Sequence, residues 1–397
     1  MNDFRHKVTY FIRTIPDLKE VLKPLDQMID EKFIPAITEG HVLSADDRTL
    51  LSLPVRLGGL GIPAFGEICD QEFNNSLRVT QKLRENIVSQ ESLLVLDQEA
   101  EKAIASEIKR ERKTKQEQTL TVLRGKMNKN QIRGNDVAQM KGASAWLTSL
   151  PIKDENYVLN KREFFDSVAM RYRWDLKRLP NNCVCGQRFT MDHALQCANG
   201  GYTIRRHNRI RDLLAHLLNE VATGVHTEPT LEPVTGEPLH SGANTKDEAR
   251  PDIAARGFWQ ECAMAFFDVK VFNPFAKTHI HQNLESVFRN CERDKKRLYN
   301  ERIIAIEHGS FTPVILSAFG GLGYESGIFL SKLIEKLSVK RGVERSVVAN
   351  FVRTKLSFEL VRSQVACIRG ARKMQAMILN TGEMDIVSRV SGIQDAE

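Results

Sequence analysis

The sequence predicts an α+β protein of several domains: a helical N-terminal half, a small cysteine–histidine element, then an α/β core. Three observations carry that expectation. Apolar residues recur at helical spacing early in the chain, and residues 75 to 125 read as solvated helix. Three cysteines and a histidine crowd into residues 183–197. From Arg250 the pattern changes to short apolar runs with an amphipathic segment among them, in the order strand, strand, helix, strand. At 397 residues and 42% hydrophobic composition the chain can bury more than one core, so two or three domains are expected.

The elements follow in order. Over 18 to 36, Leu18, Val21, Leu22, Leu25, Met28, Ile29 and Phe33 sit at helical spacing, and Pro24 predicts a kink. The run Leu53 to Ile62 has three glycines in four positions, Gly58, Gly59 and Gly61, too many for a helix interior, and predicts a tight turn. Between Lys102 and Lys129 the cations Lys109, Arg110, Arg112, Lys113, Lys115, Arg124 and Lys126 meet few acids. They form either a solvated helix face or a phosphate-contacting surface. A compact region starts near Trp146. Ile210, Leu213, Leu214, Leu217, Leu218 and Val221 stripe a long amphipathic helix over 203–222. Residues 226 to 248 predict a strand and an exposed loop. Strands are then expected at 252–255, 265–272 and 313–319, and helices at 280–303, 325–338 and 345–369.

The formal net charge of +7 favours an anionic partner, most simply nucleic acid. Charged residues make up 27%, the ordinary share for a globular chain, which argues against general disorder. The first residues show no secretory signal pattern, and no run of about 18 apolar residues occurs. A soluble protein of a reducing compartment is therefore expected. Seven cysteines, three of them clustered, fit metal binding better than a disulfide framework.

Cys183, Cys185, His193 and Cys197 have the spacing C-x-C-x7-H-x3-C. Three thiolates and one imidazole satisfy a tetrahedral Zn²⁺, and four protein donors make the expected site closed and structural. The C-x-C step is tighter than the usual two-to-four-residue spacing. Gly186 is expected to turn the backbone so that amides face sulfur.

Downstream, Pro251-Asp252 precedes Asp268-Val269-Lys270 by fifteen residues. Asp268 and Lys270 share one face of the second strand, while Phe267, Val269 and Val271 take the other. Burying two charges on one side is costly unless they are paired or bind metal. Hydrolysis of a phosphodiester needs carboxylates for a divalent ion, and a lysine can orient the water. Near this pair, His207 lies on the inward stripe of its helix, as a core histidine bonded to a backbone carbonyl or as a phosphate contact. Lys295, on the stripe of the 280–303 helix, either snorkels or reaches the scissile phosphate.

The order of these parts resembles the C-terminal region of non-LTR retrotransposon proteins that carry a restriction-like endonuclease: a C-C-H-C knuckle, Gly200-Gly201-Tyr202, Arg206-His207-Asn208, Arg250-Pro251-Asp252 and Asp268-Val269-Lys270. The carboxylate set resembles the PD-(D/E)xK core. The resemblance implies Asp252 and Asp268 as ligands of Mg²⁺ or Mn²⁺ and Lys270 as the water-orienting base. Glu228 or Glu220 would be the third acid, with Arg206, His207 and Lys295 as accessory groups. The implied layout is a thumb-like segment 1–90, a charged helical linker 91–145, a helical region 146–200 ending in the zinc knuckle, a restriction-endonuclease-like core 201–340 and a helix and tail 341–397. A nuclear protein that nicks target DNA for reverse transcription, with DNA and element RNA as partners, is the implied function. No polymerase motif of the Tyr/Phe-x-Asp-Asp kind is present, and Ala45-Asp46-Asp47 reads as a helix start capped by Ser44. A piece of a longer polyprotein without polymerase activity is thus expected. The competing expectation is a zinc-containing nucleic-acid-binding protein that has lost catalysis.

Overall fold

The computed structural model describes residues 2–90 and 98–372. The chain divides into two compact units, Met1–Asp175 and Leu176–Glu397. The division falls inside the expected 146–200 region, and the expected tail beyond residue 372 lies outside the described residues.

The first unit is helical: α1 Asn2–Thr14, α2 Lys19–Met28, α3 Ile34–Ile37, α4 Ala45–Ser52, α5 Phe65–Val79, α6 Gln81–Ser89, α7 Gln98–Lys126, α8 Lys129–Gln139, α9 Ala145–Thr148 and α10 Lys161–Tyr172. Pro24 sits inside α2, and the helix then widens into a π-helical turn, Ile29–Phe33, before α3. Ser44 caps α4 in a reciprocal box with Asp47, so Asp46 and Asp47 open a helix as expected. At the glycine turn, Gly58 has φ +90, and the Asn135 amide fills the space where a Cβ would stand. The buried Tyr172 hydroxyl donates to the Gly58 carbonyl at 3.0 Å, which ties α10 to that turn.

Most of the cations on α7 turn out to be occupied. Arg112 pairs with Glu72 at 2.5 Å, Arg124 with Asp136 at 2.7 Å and Lys126 with Asp46 at 2.7 Å. Lys115 donates to Gln71 at 2.8 Å, and Lys113 lies 3.9 Å from Glu117. The lack of acids along this stretch of sequence is made up by acids from α4, α5 and α8. The geometry favours the solvated face over a phosphate surface.

The second unit is mixed α and β: α11 Met191–Ala194, α12 Tyr202–Asn219, β1 Thr223–Thr227, β2 Ile253–Arg256, β3 Met264–Phe272, α13 Leu284–Ala305, β4 Ser310–Ser317, α14 Tyr324–Arg341 and α15 Arg345–Arg369. The sheet order is β1-β2-β3-β4, with β1–β2 and β2–β3 antiparallel and β3–β4 parallel. A parallel pair needs a long crossover, and α13 supplies it. Phe267, Val269, Val314 and Leu316 bury one face against Leu214 and Leu218 of α12, Phe329 and Leu333 of α14 and Val352 of α15. Ala254, Phe266 and Phe311 bury the other against Ile303 and Tyr299 of α13. Alternation along β3 thus sends its odd positions to one helical layer and its even positions, Asp268 and Lys270 among them, to the side of α13.

Between β1 and β2 a long segment without regular structure crosses α13. Arg302 of α13, fully buried, holds it there. Its guanidinium donates to the carbonyls of Asn244 at 2.7 Å, Lys246 at 2.8 Å and Glu232 at 2.8 Å. Among the described residues no helix is long and apolar enough to cross a membrane.

Candidate metal centre and carboxylate site

The turn bridged at Asn182 and Arg188 carries two of the four clustered side chains. Gly186, at φ +84, makes it tight. Its own amide donates to the Cys183 carbonyl at 2.9 Å and closes the turn. The amide beside the Cys183 thiol is that of Cys185. Thr190 caps α11 by accepting from the His193 amide at 3.1 Å, and the Cys197 amide donates to the His193 carbonyl at 2.8 Å. One helical turn therefore presents His193 and Cys197 together.

The four ligand atoms lie within 4.8 Å of one another. Cys183 Sγ and Cys197 Sγ are 3.7 Å apart, and Cys185 Sγ and His193 Nε2 are 3.4 Å apart. Tetrahedral zinc with bonds of about 2.3 Å to sulfur and about 2.0 Å to nitrogen gives edges of roughly 3.8 and 3.5 Å. The residues fit a metal ion such as zinc, with no coordination position left open. Burial pushes the Cys183 thiol up, but the Cys185 amide and the side chains of His193, Cys185 and Cys197 outweigh it and bring it to about 6. Burial pushes Cys197 up, as does its neighbour Cys183.

The second site lies where β2 ends. Register pairs Ile253 with Phe267, so Asp252 comes just past the last rung. Its Oδ2 accepts from the Val269 amide at 2.6 Å and faces His207 Nε2 at 3.0 Å. His207 Nε2 also lies 3.0 Å from the Val269 carbonyl, and Nδ1 lies 3.2 Å from Asn208 Oδ1. With acceptors at both ring nitrogens the imidazolium form is favoured. Burial pulls its pKa down, but Asp252 more than offsets this and raises it above the ordinary histidine value.

The neighbouring residue, Arg206, is 4% exposed and reaches the Val271 carbonyl at 3.4 Å and the Leu195 carbonyl at 3.1 Å. Carbonyls two residues apart on a strand point the same way. Those of Val269 and Val271 face the side that β2 has just vacated. Side chains of Asp252, His207 and Arg206 therefore complete the ladder where the strand stops. Without them these groups would be unpaired in a largely buried place.

Asp268 is 3% exposed. Lys295 Nζ of α13 lies 2.5 Å from its Oδ2 and is its ion-pair partner. Burial raises the Asp268 carboxyl to about 6, against the lowering charge of Lys295 and with a further push from Asp252. Lys295 is itself held above its ordinary value: burial pulls it down, and Asp268 outweighs that. Lys270 is half-buried and has no hydrogen-bond or ion-pair partner among the described residues.

The structure separates the two candidates for a third acid. Glu228 stays near: its amide donates to the Asp252 carbonyl at 2.9 Å, and its carboxylate pairs with Arg211. Glu220 caps the far end of α12, thirteen residues from His207 or about 20 Å along a helix, and is clamped by Arg341 at 2.6 and 2.9 Å. It is not brought to the site. Tyr299, one helical turn after Lys295, was missed in the sequence although it shares the stripe. Its hydroxyl lies 3.4 Å from the Arg250 carbonyl, and burial together with the Asp268 charge raises its pKa.

No family model matches this chain, and no curated protein matches it significantly.

Proposed function

We propose that the second unit is a Mg²⁺- or Mn²⁺-dependent DNA endonuclease with a restriction-like core, stabilised by a zinc knuckle at Cys183, Cys185, His193 and Cys197. The observation that carries the reading is a pair of carboxylates at adjacent strand positions on a helix-covered sheet, one of them 3% exposed with a lysine as its partner. A structural salt bridge gains little from such burial, because desolvation cancels most of the attraction. Metal chemistry gives the burial a use.

Asp252 and Asp268 would hold the ion, which commonly takes one or two carboxylates and keeps waters. When bound, it supplies charge to offset that gained by the phosphate under attack. His207 and the Val269 amide fix Asp252 through one oxygen and leave the other for binding. Lys295 keeps Asp268 ionised. Lys270, on the same face and without a partner among the described residues, would orient a water. Element RNA as a second partner and the nucleus as the place of action belong to the same proposal, through the family resemblance.

The test is nicking of supercoiled plasmid with Mg²⁺ or Mn²⁺. Asp268→Asn should lower the rate at least 100-fold with the fold intact, the scale of losing a principal charge-stabilising group. Equal rates in wild type and variant with both ions would sink the nuclease. Salt-sensitive DNA binding with no nicking at all would leave the binding-protein reading in its place.

A further inference from the structure

We propose that Arg206 is a positioning residue that couples metal occupancy of the Cys183–Cys197 cluster to the order of β3 beside Asp268. The proposal stands on the metal reading of the cluster and does not need the nuclease.

Arg206 spans two places. Leu195, whose carbonyl it holds, lies midway between the ligands His193 and Cys197 and is itself fully buried. Val271, whose carbonyl it also holds, follows Lys270 on β3. No carboxylate neutralises this guanidinium among the described residues, and its Nε is buried without a partner. Its charge therefore depends on two carbonyl dipoles, one on each side. If the turn that carries His193 and Cys197 loosens, Leu195 moves, and Arg206 keeps only the longer of its two contacts. The next residue, His207, holds the Val269 carbonyl and Asp252, so a shift at the start of α12 reaches both braces of the strand. The route is a short chain of hydrogen bonds with a covalent neighbour at its centre.

Linkage makes the effect reciprocal. Metal at the cluster should protect β3, and the loss of Arg206 should weaken metal binding although no ligand is touched. Partners of this kind around a metal site are worth about 10–100-fold in affinity.

The experiment uses the full chain, with Co²⁺ as a spectroscopic stand-in for zinc and backbone hydrogen exchange as the second readout. In the wild type, removing the metal should speed exchange across 264–272 at least tenfold while 324–341 in α14 serves as the reference. Arg206→Met should abolish that metal dependence and weaken Co²⁺ binding by 10–100-fold, with the thiolate-to-cobalt band unchanged in shape. Arg206→Lys keeps the charge but reaches one carbonyl at a time, so it carries the test should the methionine variant fail to fold. It should lose most of the coupling. The proposal is overturned if wild-type exchange at 264–272 ignores the metal, or if Arg206→Lys keeps wild-type coupling and affinity. Absence of a cobalt band in the wild type would instead remove the metal reading itself, and the proposal with it.

Discussion

The donor atoms of Cys183, Cys185, His193 and Cys197 turn to one another, whereas the carboxylates of Asp252 and Asp268 each already face a protein cation. Thiolates gathered within 4.8 Å repel as they ionise, so the cluster needs charge from outside. At the carboxylates that charge is built in as His207 and Lys295. The first arrangement suits a metal that is part of the fold; the second stands on its own ion pairs, and under the proposed function a metal there would be dispensable to the fold.

The sharpest way to break this contrast is to remove ions selectively. Chelating zinc, or replacing Cys197 with serine, should lower the melting temperature by 10 °C or more, since binding free energy at closed structural sites is folding free energy. Withdrawing Mg²⁺ should leave it unchanged. Equal sensitivity to both would end the distinction.

A smaller effect sharpens it. The Asp268 carboxyl sits at about 6 in the folded chain against an ordinary 3.8, so the native state binds its proton more tightly than the unfolded state. Stability from this group is present below the ordinary value and is lost as pH rises through about 4 to 6. Asp268→Asn should therefore gain stability relative to wild type across that window, measured by urea denaturation at each pH. The slope is the observable, because the variant also strands Lys295. A flat difference would mean that Asp268 is not buried as described. The substitution expected to stop nicking would then also relieve a folding cost, as active-site groups often do.

The least effect is expected in the first unit. Lys113→Gln on α7 removes a cation 3.9 Å from Glu117 and should leave both melting temperature and the salt dependence of DNA binding unchanged.

What could be read in the sequence follows the range of the forces involved. Alternation over Phe267 to Val271 fixes faces locally, and the structure places Asp268 and Lys270 as that period requires. The Cys/His spacing is equally local, and so is the Ser44 cap. Helices and strands of the second unit fall within a few residues of their expected bounds. Partners separated by long stretches were not legible. Nothing in the pattern tells that Lys295 reaches Asp268, that Glu220 goes to Arg341, or that His207 and Arg206 stand in for a missing strand. Those choices depend on where β2 stops and how α12 and α13 lie on the sheet. The counter-ions of Arg112, Arg124 and Lys126 on α7 were not legible for the same reason, since they come from other helices.

Arg302 has a consequence of another kind. It grips the segment between β1 and β2 by main-chain carbonyls, and every residue type supplies the same carbonyl. The side chains of Glu232, Asn244 and Lys246 are left free of that task, so this hold does not depend on which residues stand there. Position 302 has no such freedom. The cost of holding this long segment is thus concentrated in one side chain, a short way along the chain from Asp252.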